Sequence, residues 1–291
     1  MFEGMLTALV TPFRDDEVDE AALRELVERQ MVAGVDGLVP CGSTGESATL
    51  SHAEHQRVVE IVVDAAAGRV PVVAGTGSNN TREAIELTRH ARNAGAQGAL
   101  LISPYYNKPT QEGLIAHYRA VADDAGLPLL VYNIPGRTAS NVLPETLATL
   151  ADHPLIVGVK EASGNLDQMA EVIRACPNDF VVLSGDDALA LPLLAIGGRG
   201  VISTTSNVAP GEMCQLVQAF RDGDLKRAQD IHYRLLTLFD LLFRETNPIP
   251  VKAALAEMGL IEPGIRLPLL PLSQPHHEPL RAALEELGLL P

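Results

Sequence analysis

Apolar residues in this chain fall into short runs separated by longer stretches of helical spacing. Eight runs have strand character: LTALV (6–10), GLVP (37–40), VPVVA (70–74), GALLIS (98–103), LPLLVY (127–132), LIVGV (155–159), FVVLS (180–184) and GVIS (200–203). Strands alternating with helices predict a parallel (β/α)8 TIM barrel of the α/β class. An internal echo repeats the αβ joint in AGVDGLVP (33–40), AGAQGALL (94–101) and IGGRGVIS (196–203). Each places one glycine at a helix end and another three residues later, opening a strand. SHAE (51–54) reads as a capping box, Ser51 answering free N–H groups of the first turn and Glu54 reaching back. After about residue 224 the pattern is helical only, which divides the chain into a barrel over 1–224 and a C-terminal helical segment over 225–291. A doubly wound open sheet is the rival, but TPF follows the first strand where a glycine-rich dinucleotide turn would stand.

Composition narrows the function classes. The 291 residues are 46% hydrophobic, enough for a sizeable core, and carry a net charge of −15 with histidine neutral. Nucleic acid and anionic membrane would be repelled, so any anionic substrate must meet local positive charge. Cys41, Cys176 and Cys214 are far apart and odd in number, giving neither a disulfide framework nor zinc-site spacing, as suits a reducing cytoplasm. MFEGMLTALVTPF lacks a basic leader region, and every apolar run is broken short of a membrane span, so a soluble chain without a targeting segment is expected.

Chemistry in such barrels collects where strands end. Here those positions carry CGSTGE (41–46), GTGSNN (75–80), PYYNKP (104–109), YNIPGRT (132–138), Lys160 and GDDA (185–188). Singly, each has an ordinary reading: Lys160 a solvated strand end, CGSTGE a tight turn, Arg137 a loop charge, Tyr132 a core ring with a wet tip. Together, an amine, several hydroxyls and a guanidinium would converge on one barrel mouth. By strict alternation Gly158 and Ile156 share the side of an inward Lys160, Gly158 leaves room beneath it for a small bound group, and Glu161 points away. A lysine nucleophile needs desolvation to free its amine. His52 and His55 lie three apart on one helical face without further ligands, so no metal is expected.

GSTGE, PYYNKP, YNIPGRT, GVKEASGN, LSGDDA, GVISTTSNV and NPIPVKAAL, in order through nearly the whole chain, resemble the dihydrodipicolinate synthases of the pyruvate-dependent class I aldolase family. The resemblance implies the same barrel with C-terminal helices and no cofactor. It implies that Lys160 forms a Schiff base with pyruvate, whose enamine then attacks L-aspartate-4-semialdehyde on the way to diaminopimelate and lysine. Tyr132 would shuttle protons, relayed by Ser43 and by Tyr106 from a neighbouring subunit. Thr44 with Ser43 would hold the pyruvate carboxylate, Arg137 the semialdehyde's carboxylate, and Gly185 and the Ile202 carbonyl would line the pocket. Ser43, Ala139 and Ser206 depart from the family's usual threonine, glycine and alanine.

The resemblance further implies a homotetramer built as a dimer of dimers. It also implies a cleft for inhibitory L-lysine formed by Ser47, Ala48, His52, His55, Asn79, Glu83 and Tyr105. Sialate lyases and sugar-acid aldolases share Lys160 and Tyr132, and Arg137 is what separates this chain from them. A non-catalytic metabolite sensor is the rival of another class.

Overall fold

A computed structural model describes residues 2–290. The repeated glycine joints are where its strands begin. Gly34 and Gly95 cap helices in the left-handed conformation, at φ of 88° and 96°, and Gly37 and Gly98 open the next strands. Gly197 and Gly200 repeat the device before the last strand. Ser51 and Glu54 form the capping box reciprocally.

The barrel strands are β1 (Gly4–Ala8), β2 (Gly37–Val39), β3 (Val73–Gly75), β4 (Gly98–Ile102), β5 (Leu129–Asn133), β6 (Ile156–Glu161), β7 (Val181–Ser184) and β8 (Gly200–Ser203). All pair in parallel, in the order β2-β1-β8-β7-β6-β5-β4-β3, and a bridge between Leu38 and Val72 closes the ring. A two-residue hairpin, Phe13–Arg14 with Glu17–Val18, follows β1. Helices alternate with the strands: α1 (Glu20–Ala33), α2 (His52–Ala66), α3 (Thr81–Ala94), α4 (Gln111–Ala125), α5 (Pro144–Ala151), α6 (Leu166–Ala175), α7 (Ala190–Ala195) and α8 (Pro210–Arg221). Helices α9 (Leu225–Leu241), α10 (Ile249–Glu257) and α11 (Gln274–Glu286) complete the described chain, and α9 packs on α8. Among the described residues no helix is long and apolar enough to cross a membrane.

Strand alternation sorts the core into two layers. Leu6, Val39, Val73, Leu100, Leu130, Leu183 and Ile202 fill the barrel. Met5, Leu38, Leu101, Leu129, Val131, Val159 and Val201 face the helices. Each such leucine or valine, fully buried, contributes about 1.5–3 kcal/mol of transfer free energy.

One expectation from strict alternation fails in β6. Pairing with β5 runs Leu129 to Ile156 and then Leu130 to Gly158, skipping Val157. This bulge sends Ile156 to the outer layer and leaves Val157 against the inner one. Gly158 makes no room for a bound group either. A Cβ there would sit 2.3 Å from the Val181 carbonyl oxygen and 3.0 Å from a Leu130 methyl, so the glycine admits the neighbouring strand.

Candidate active site

Lys160 is the fifth of six residues in β6 and is 5% exposed, so the apolar run ends in a buried amine and not a solvated one. Its register partner on β5 is Tyr132. The lysine Nζ lies 4.4 Å from the centre of the Tyr132 ring. Burial pulls the Lys160 pKa down from its ordinary 10.5 to about 8, with Asp187 favouring the ammonium and Arg137 opposing it. Burial pushes the Tyr132 phenol up to about 12, against Arg137 and the Ser43 hydroxyl, which both favour the phenolate. One group gives up its proton readily and the other keeps it, as a nucleophile and a proton donor require.

Glu161 points away, as alternation predicts. It is fully buried and accepts from Asn133 Nδ2 at 2.9 Å and from the Ser163 N–H at 2.7 Å. Gly185 lies beside the Lys160 stem, where a Cβ would fall 3.0 Å from its Cε. Ile202 stands in the inner layer on β8, in register with Leu6.

The loop after β2 brings in hydroxyls. Its turn closes through the Gly45 N–H to the Gly42 carbonyl at 3.1 Å and the Glu46 N–H to the Ser43 carbonyl at 3.2 Å. The backbone N–H groups of Ser43 and Thr44 donate to no protein acceptor among the described residues, which leaves two donors for an anion. Buried Thr44 accepts from Asn247 Nδ2 at 2.9 Å, and its hydroxyl meets that of Thr204 at 3.3 Å. Arg137 sits on a single helical turn after β5 and donates from Nη2 to the Asn247 carbonyl at 2.9 Å.

Two residues without an assigned role thus join the site. Asn247, preceding α10, touches both Thr44 and Arg137, and its only advance signal was its place in NPIPVKAAL. Asp187, within GDDA, is 2% exposed, and one of its oxygens accepts from the Thr205 N–H and hydroxyl, each at 2.9 Å. Burial raises its pKa.

A groove of about 490 Å³ runs from Ser43, Tyr132 and Arg137 to Ser47, Ala48, His52, His55, Glu83 and Tyr105. Asn79 lies beside it, donating to the Tyr105 carbonyl at 3.2 Å. Glu83 accepts from the Ser78 hydroxyl and bonds His52 Nε2 at 2.8 Å; these contacts, the serine's first, hold its carboxyl below the usual range. His55 is buried, with Nε2 on the Gly75 carbonyl at 2.8 Å, and burial lowers its pKa. Tyr106 is the one predicted relay residue that the chain does not bring to its own site: it is 89% exposed.

The chain's likeness to known proteins agrees with this geometry. Residues 1–287 match the model of the dihydrodipicolinate synthetase family. A 4-hydroxy-tetrahydrodipicolinate synthase of Syntrophus aciditrophicus is 57% identical over 290 residues, covering 100% of both chains. The solved structure of a chloride-inhibited dihydrodipicolinate synthase from Acinetobacter baumannii, complexed with pyruvate, superposes with a TM-score of 0.98 at 45% identity over 100% of both chains. Another, from Cyanidioschyzon merolae with lysine bound, gives 0.97 at 45% over 99% of each. With a match of this extent, from the barrel through its C-terminal helices, the chain belongs to the dihydrodipicolinate synthetase family.

Proposed function

We propose that this chain condenses pyruvate with L-aspartate-4-semialdehyde to 4-hydroxy-tetrahydrodipicolinate through a Schiff base on Lys160, the committing step toward diaminopimelate and lysine. The observation that carries the reading is a buried lysine of lowered pKa in register with a buried tyrosine of raised pKa. The Lys160 amine adds to the ketone carbon of pyruvate, and the Tyr132 hydroxyl protonates the departing oxygen so that water leaves and an iminium forms. Loss of a methyl proton gives the enamine, which attacks the aldehyde carbon. Cyclisation through the semialdehyde's own amine then releases Lys160.

Thr44, together with the free Ser43 and Thr44 N–H groups, holds the pyruvate carboxylate. Arg137 takes the semialdehyde's carboxylate, where a planar fork gives paired hydrogen bonds. Gly185 and the Ile202 carbonyl bound the pocket beside Lys160, and Ser43 links Tyr132 to the outside. Tyr106, exposed on this chain, completes the relay of a second copy, so the working form is an oligomer, a dimer of dimers by family likeness. The groove's far end, from Ser47 to Tyr105, takes L-lysine as an inhibitor. The enzyme acts in the cytoplasm without cofactor or metal.

Borohydride reduction in the presence of pyruvate tests the central step. The adduct should form on wild type at Lys160 and vanish in Lys160→Ala with activity down by orders of magnitude. A retained adduct on another lysine would overturn the assignment.

A further inference from the structure

The loop that carries Ser43 and Thr44 is held in an uncommon backbone shape. Cys41 and Glu46, neither of them glycine, take left-handed φ values of 56° and 53° at its two ends. Such conformations persist only where the surroundings enforce them. At the Cys41 end the enforcement is weak, a thiol contact to the His55 carbonyl at 3.6 Å. At the other end it is strong.

Glu46 is 3% exposed and its carboxylate pairs with the ammonium of Lys252, itself 2% exposed, on α10 and 206 positions along the chain. The second carboxylate oxygen accepts the Arg266 backbone N–H at 3.2 Å. Lys252 Nζ lies 4.2 Å from the centre of the Phe13 ring, and the Arg266 guanidinium carbon also lies 4.2 Å from it. Arg266 goes on to donate to the Thr49 carbonyl at 3.2 Å and to Glu54 at 2.5 Å. The segment from Glu46 to Glu54 is therefore fastened at three points to the C-terminal segment.

A buried ion pair is weak evidence for stability, because replacing both charges by neutral groups of similar size often costs nothing, whereas removing one partner strands the other. What the pair does provide is direction: Glu46 has one ammonium and one N–H to satisfy, and only one placement of the loop satisfies both. We propose that Glu46 and Lys252 are positioning residues whose buried pair ties the C-terminal helices to the active-site loop and so sets where Ser43 and Thr44 meet the keto acid. The proposal rests on the Schiff-base reading above. It makes the helices after the barrel part of the site, through α10, and not an appendage to it.

Full-length Lys252→Met, Glu46→Gln and the double variant test this by separating stability from positioning. Lys252→Met alone should melt lower, since Glu46 is left buried without its counter-ion. The double variant should regain most of the lost melting temperature. Its KM for pyruvate should nevertheless stay raised by roughly tenfold to a hundredfold, the scale expected when reacting groups shift by about an ångström. The pH profile of adduct formation should be unchanged, because the surroundings of Lys160 are untouched. A double variant with restored melting and the parent's pyruvate KM and kcat would overturn the proposal. Were the double variant not to fold, Glu46→Gln, which keeps an acceptor for Lys252, decides by the same KM reading. Absence of a trapped pyruvate adduct in wild type would instead overturn the Schiff-base reading itself.

Discussion

Tyr132 and Lys160 face each other in register on neighbouring parallel strands, with the lysine nitrogen 4.4 Å from the centre of the tyrosine ring. The ring face attracts an ammonium, while removal from water disfavours it. Burial wins, and the lysine titrates near pH 8 where its ordinary value is 10.5. The rate of pyruvate adduct formation should therefore climb through about pH 8 and level off above it. The stability sign follows: between about pH 8 and 10.5 the unfolded chain holds this proton and the folded chain does not, so the group's contribution rises with pH across that window. A pH series of borohydride trapping, with melting followed in parallel, checks both. An adduct rate still rising steeply toward pH 10.5 would contradict the burial argument.

Arg137 is exposed and spends one N–H on the Asn247 carbonyl, leaving the rest of its fork for a carboxylate. Losing a charged hydrogen bond costs about 1.5–3 kcal/mol, so Arg137→Ala should lower kcat/KM for the semialdehyde by roughly tenfold to a hundredfold. The yield of trapped pyruvate adduct should persist. Equal losses for both substrates would reassign Arg137 to holding Asn247, and through it Thr44.

Gly158 follows the bulge of β6 against β5 and pairs with Val181 of β7. An added methyl would meet the Val181 carbonyl oxygen at 2.3 Å, a backbone atom that cannot rotate away. Gly158→Ala should destabilise by about 1–3 kcal/mol, the usual cost of overpacking. Thermal melting reads this directly, and a variant that melts with the parent would mean that the strands part there without cost.

The strands and joints were legible because they depend on local period and on glycines of positive φ, which any window of the chain reveals. Lys160, Tyr132 and Arg137 were legible because strand ends are where this architecture does chemistry. Ile156 was misplaced because a bulge belongs to the pairing of two strands, and alternation within one cannot reveal it; Gly158 does share the side of Lys160, but the space expected there is taken by Val181 and Leu130. Asn247 with Thr44, and Glu46 with Lys252, meet across 203 and 206 positions, separations that leave no periodic trace. Asp187 was visible only as one acid among others, since its place on the Thr205 N–H comes from the meeting of the loops after β7 and β8.

Glu83 at the far end of the groove is built as an anion before any ligand arrives. The Ser78 hydroxyl and His52 both bond its carboxylate, and its pKa is lowered accordingly. The groove around it is continuous with Ser43 and Tyr132, so an amino acid bound there would lie within reach of the proposed relay. An ammonium set against Glu83, with the Tyr105 hydroxyl free for the carboxylate, matches lysine's charges. L-lysine at millimolar concentration should therefore inhibit, with a coupling to pyruvate of about 1–3 kcal/mol. Glu83→Ala removes the partner of the ammonium and should raise the inhibitory concentration by roughly tenfold to a hundredfold. Titration of L-lysine at fixed substrates, wild type beside variant, is the measurement. Inhibition equal in both would move the ammonium site away from Glu83, and a wild type indifferent to millimolar lysine would leave the groove without this role.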